Sequence, residues 1–191
     1  MPAVNGESWA AALRALYEDE YVFVAVGPRL GPSLGADVLA VMRREVPDPR
    51  GWGTQDWDRD HEERGHGAGA AFPFTSVDGD AITSRLAEVD IETAAQLLVA
   101  FRDDWCRLPR GRERDDRPGE PLSKAWALLS RFAPELRCYT NLTTAPSTTS
   151  LDLAAHAAGP GWLPFTGYTA DYGLVVVSST EVGVFWSFNP I

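Results

Sequence analysis

Apolar residues recur along this chain first at helical and then at strand spacing. From residue 7 to 18, Trp9, Leu13, Leu16 and Tyr17 fall on one face with Ala12 between them, which predicts an amphipathic helix. Tyr21 to Val26 is rich in β-branched and aromatic residues, and it predicts a buried strand. A loop over 27–35 leads to a helix over 36–46 with Val38, Val41 and Met42 inward, ended by Pro47.

Residues 47–70 hold neither period. They mix Pro47 and Pro49 with several glycines, Trp52, Trp57 and a run of acids, and they predict a long acidic loop. Ala70 to Val77 reads as a short strand. Asp80 is placed to cap a helix near 81–88, and Asp90 to cap another over 91–105. In the latter, Ile91, Ala94, Ala95, Leu98, Phe101 and Trp105 recur at helical spacing, widened by Leu97, Val99 and Ala100, so it belongs in the centre of the molecule.

Residues 107–120 are mixed in charge without apolar anchors and read as a mobile, solvated loop. Pro121 suits the first turn of a helix over 121–132 that turns Leu122, Trp126 and Leu129 inward. A strand over 136–142, a Thr/Ser-rich loop over 143–150 and a short helix capped by Ser150 follow. The last segment is a hairpin, 172–178 and 182–188, joined through Ser179, Thr180 and Glu181. The expectation is a single α+β domain spanning 1–191. Its sheet is single, mixed or antiparallel, of four or five strands with a C-terminal hairpin, and is packed by helices on one side.

Charge changes this picture most. The chain carries −10 at neutral pH, and residues 45–104 contain 14 Asp/Glu against 5 Arg, a local balance of −9. Such a field repels nucleic acid and anionic membrane and attracts cations or basic proteins. No apolar run approaches the length of a membrane span, and no basic start followed by an apolar stretch marks a secretory signal, so a cytoplasmic location is expected. Cys106 and Cys138 stand far apart and form neither a disulfide framework nor a metal pair, and each reads as a small buried residue.

Four segments invite chemical readings. His61, Glu62 and His66 form H-E-x-x-G-H, in which two imidazoles would hold zinc and Glu62 would serve as base. This hexapeptide resembles the zinc motif of the dipeptidyl peptidase III family, and the resemblance implies His61 and His66 as ligands. The spacing is five rather than the four of a helical turn, and the flanks carry no apolar face, so metal is not expected. Asp56, Asp58 and Asp60 alternate like the start of a calcium loop, but His61 stands where glycine is needed and Gly67 where glutamate is needed. Gly27 to Gly35 lies between a strand and a helix, where phosphates are cradled. Pro28 and Pro32 remove two donors there, which leaves Arg29 as the group able to meet an anion. Cys138, His156 and Asp171 form a conceivable nucleophilic trio, and Thr140, Thr143, Tyr168 and Asp171 a conceivable pocket, with no nucleophile elbow to support either.

These readings favour binding over catalysis, with no cofactor. Trp52 and Trp57, set among Asp56, Asp58, Asp60, Glu62 and Glu63, form the expected partner-binding surface for a basic protein. A small acidic α+β chain ending in a hairpin such as 174–186 resembles, at the level of a class, the immunity proteins of bacterial toxin systems. That resemblance implies a cognate toxin blocked by occlusion. The alternatives are a zinc-dependent hydrolase using His61, Glu62 and His66, or a small-molecule enzyme with a pocket between sheet and helices.

Overall fold

The computed structural model describes residues 4–18, 20–57, 71–75, 78–102, 119–142, 163–168 and 171–188. Helix α1 (Gly6–Tyr17) begins in a capping box in which the Asn5 side chain accepts from the Ser8 N–H and the Ser8 hydroxyl accepts from the Asn5 N–H. Strand β1 (Val22–Pro28), helix α2 (Leu34–Met42) and the two-residue strand β2 (Gln55–Asp56) follow. Then come α3 (Gly79–Ser84), β3 (Ala87–Val89), α4 (Ile91–Ala100) and α5 (Glu120–Ser130). Strands β4 (Arg137–Thr140), β5 (Asp171–Val177) and β6 (Glu181–Phe188) complete the order. Ser33, Asp78 and Asp90 cap α2, α3 and α4 by accepting the N–H three residues on, so α3 is capped by Asp78 rather than by Asp80.

The fold is α+β, built on one antiparallel sheet of six strands in the order β2-β1-β6-β5-β4-β3. The sheet has more strands than the four or five expected. β2 and β3 are too short to carry a periodic signal and form only because longer neighbours offer them an edge. Of the segment over 70–77, the described residues 71–75 contribute a bridge from Phe74 to Thr166.

Helices cover both faces of the sheet, not one. On the first face Val22, Val24, Val26, Tyr172, Leu174, Val176 and Phe185 meet α1, α4 and α5. On the second, Phe23, Val175, Val177, Val182, Val184, Trp186 and Phe188 meet α2 and α3 with Phe74 and Phe165. Every residue of β5 and β6 is buried, the pattern of strands covered above and below. α1 is tied across its neighbours by hydrogen bonds from the Tyr17 hydroxyl to the Leu98 carbonyl and from the Trp9 indole to the Leu128 carbonyl. On the second face, a Cβ at Gly35 would lie 1.8 Å from the Gly79 carbonyl, so α2 and α3 touch backbone to backbone.

Gly173 and Trp186 are cross-strand partners, and the indole lies over the glycine. A Cβ at residue 173 would fall 2.0 Å from the ring of a Trp with no exposed surface. Gly173→Ala is expected to lose about 2–3 kcal/mol of stability through overpacking, read from the midpoint of urea unfolding. A loss below about 0.5 kcal/mol would show that the indole can slide aside.

Candidate functional site

The segment that leaves α2 and ends in β2, residues 43–56, crosses the edge of the sheet as a strap, and two charge clusters hold it. At its start Arg44 occupies the position after the helix cap with φ 58°, a left-handed conformation usually given to glycine. The Arg44 N–H donates to the Val41 carbonyl and the Glu45 N–H to the Ala40 carbonyl, which closes α2 in a Schellman turn. The Arg44 side chain offsets the backbone strain. It pairs with Asp56 through both Nε and Nη2, donates to the Phe72 carbonyl at 2.9 Å, and stacks 5.1 Å from the Phe23 ring centre.

The second cluster centres on Arg131, whose side chain has no exposed surface. Its Nη1 donates to Asp48 at 2.8 Å and its Nη2 to Glu181 at 2.9 Å. Arg50 reaches the same Glu181, with Nη2 at 2.8 Å, and also donates to the Arg131 carbonyl. The Arg131 guanidinium lies 5.1 Å from the ring of Trp9 and 4.9 Å from that of Trp52, so two indoles cover it. Burial opposes its charge, but the hydrogen bonds to Asp48 and Glu181 outweigh burial and hold its pKa above the usual arginine value.

Between strap, β1 and the end of α2 lies a cleft of about 370 Å³. Ala25, Val46 and Pro47 are among its apolar lining, and Arg44, Glu45, Asp48, Thr54 and Asp56 its polar lining. β2 pairs only with Phe23 and Val24, so the strap departs from β1 beyond that point and leaves this space. Sequence reading missed the cleft, because its walls come from three separated segments and no local pattern marks it.

The tryptophans and the first aspartate of the expected docking surface serve internal packing. Trp52 is half-buried against Trp9, Arg50 and Arg131. Trp57 is half-buried, edge-on to Tyr21 at 4.6 Å and 6.3 Å from Phe188. Asp56 is held by Arg44 and is not free to start a calcium loop. Asp58, Asp60, His61, Glu62, Glu63 and His66 lie outside the described residues, as do Cys106 and His156.

The acids of 45–104 do not form one contiguous face among the described residues. Asp48, Asp56 and Glu88 pair with Arg131, Arg44 and Arg137, all drawn from outside that stretch. The hydrogen bond from Arg137 lowers the Glu88 carboxyl pKa. The remainder is divided. Glu45 stands past the C-terminus of α2, Asp78 and Asp80 flank Gly79 beside the helix's N-terminus, and Asp90 and Glu92 open α4 on the other face.

The other candidates are not assembled. Cys138 belongs to the first core and Asp171 to the opposite face of the sheet, where it accepts from the indole of Trp186. Burial pushes the Cys138 thiol up to about 12, which leaves it protonated and unreactive. Asp171 is buried at the entry to β5 and accepts the N–H groups of Phe165 and Thr166. Burial raises its pKa against the pull of these donors. Thr140 shares the face of Cys138 and donates to the Gly173 carbonyl, so Thr140 and Asp171 do not line one pocket. In the loop after β1, the N–H groups of Leu30 and Gly31 donate to buried Asp37, which Arg29 also pairs; the donors of a phosphate cradle are already used. Among the described residues no group of three side chains is placed to hold a metal ion, and no helix is long and apolar enough to cross a membrane.

Arg131→Met is expected to cost about 3–5 kcal/mol, because Asp48 and Glu181 would keep buried charges without a shared partner. Asp48→Asn should cost about 1–2 kcal/mol, since Arg131 keeps Glu181. Equal losses in urea unfolding would show that the two carboxylates are not alternatives for one cation. Arg44→Gly and Arg44→Ala both remove the Asp56 pair, but only glycine relieves the left-handed backbone. The glycine variant should be the more stable by about 1 kcal/mol, and the reverse order would refute the strain assignment. No protein-family model, no curated protein and no solved structure matches this chain.

Proposed function

We propose that this chain is an acidic binding protein of inhibitory, immunity-like type that docks a basic protein partner along the segment from Glu45 to Glu63. The observation that supports this is charge left over after internal pairing. Glu45, Asp78, Asp80 and Glu92 are exposed and have no ion-pair partner among the described residues, in a chain of net charge −10. Asp58, Asp60, Glu62 and Glu63 follow directly after Trp57 in the sequence, with Arg59 and His61 interspersed and Arg64 after them. Long-range attraction of this kind raises the rate of encounter with a cationic surface and rejects anionic ones. The half-buried rings of Trp57 and Tyr21 pack edge-on at the start of that run and fix where it leaves the folded core. Inhibition would follow by occlusion, which needs no chemistry from the chain.

A synthetic decalysine peptide provides the test. Binding measured by calorimetry should weaken at least about tenfold between ~0.02 M and ~0.5 M salt, as screened charge pairs require. Simultaneous reversal of Asp58, Asp60, Glu62 and Glu63 to Lys should remove it while the circular dichroism spectrum stays unchanged. Undiminished binding by that variant would overturn the assignment of the partner to this segment.

A further inference from the structure

We propose that the cleft under the strap receives one basic side chain of that partner, a lysine or an arginine. The stem would lie on Ala25, Val46 and Pro47 and the cationic head at Glu45 and Thr54. This inference rests on the reading above and names the subsite within it.

Three properties of the cleft point to such an occupant. The first is charge. Its lining holds one cation, Arg44, and three carboxylates, Glu45, Asp48 and Asp56, a sum of −2. The second is which of those groups remain available. Asp48 accepts from Arg131 and from the backbone N–H groups of Arg50 and Trp52. Asp56 faces Arg44 with both oxygens. Arg44 spends Nε and Nη2 on Asp56 and Nη1 on the Phe72 carbonyl, so it offers an anionic ligand little. Glu45 and Thr54 are exposed and make no side-chain hydrogen bond or ion pair among the described residues, so the open acceptors at the mouth are a carboxylate and a hydroxyl. The third is shape and polarity. An aliphatic floor below an acidic mouth matches an amphipathic side chain that buries its methylenes and keeps its charge at the rim. A volume of about 370 Å³ is at the small end for ligand sites and leaves room for a stem, its head and bridging water.

The experiment is a nitrogen-15 NMR titration of the full chain with Nα-acetyl-lysine methylamide and its arginine counterpart, with the norleucine analogue as the uncharged control. The expected result is shifts at the amides of Ala25, Val46 and Thr54 with the two cationic probes and not with norleucine. Glu45→Lys, at an exposed side chain without partners among the described residues, should weaken these responses about fivefold without altering the rest of the spectrum. Equal shifts with norleucine would overturn the charge argument, and shifts confined to other residues would overturn the location. Salt-sensitive decalysine binding with silent cleft amides would remove this subsite and leave the wider reading in place. Loss of decalysine binding with responsive cleft amides would do the opposite.

Discussion

A guanidinium with no access to water has to find its counter-charges inside the protein, and Arg131 finds them in segments far apart in sequence. Asp48 lies 83 residues before it and Glu181 lies 50 after it. Removing Arg131 would leave carboxylate charge in a poorly solvated place, and that penalty exceeds the net gain from forming the pairs. The cluster therefore acts chiefly as a positional lock. It fixes the end of α5, the start of β6 and the strap after α2 relative to one another, with Trp9 and Trp52 closing over the guanidinium. The Arg44–Asp56 pair ties the two ends of the strap to each other, while the Arg131 cluster grips its middle. The cleft exists because the strap is held at both ends and is not zipped onto β1 between them.

The sheet supplies the rigid wall behind that arrangement. Its central strands β1, β6 and β5 are buried on both faces, so a shift of register would drive large side chains into either core. Gly173 beneath Trp186 shows how close the fit is. Asn141 reinforces the end of β5 by donating to the Asp171 carbonyl and accepting from the Gly173 N–H. Asp171 holds Phe165, Thr166 and Trp186 around one carboxylate. The polar groups buried here are satisfied and rigid, which suits a scaffold better than a reaction centre.

Acidic residues serve two purposes in this molecule. Some act locally: Asp78 and Asp90 cap helices, Asp37 gathers the loop after β1, and Asp48 and Asp56 clamp the strap. Others remain exposed and set the long-range field. A count of charge along the chain cannot separate these groups, because the arginines that neutralise Asp48, Asp56 and Glu88 lie outside the acidic stretch. The same holds for Trp52 and Trp57. Their setting among acids reads as an outward recognition surface, while the folded chain turns them against Trp9, Arg131, Tyr21 and Phe188.

Much of the architecture was legible from residue spacing alone. The face of α1, the strand at β1, the Asp90 cap of α4, the proline that opens α5 and the C-terminal hairpin all depend on contacts within a few residues, which a linear pattern records. The near-continuous apolar runs within β5 and β6 also encoded burial on both faces, although helices were expected on one side of the sheet. What only the tertiary structure decided was pairing over distance: the two short edge strands, the partners of Arg131 and Arg44, and the walls of the cleft. Those features follow from electrostatic and packing energies between residues separated by 12 positions, for Arg44 and Asp56, up to 83, for Arg131 and Asp48, and no local period carries that information.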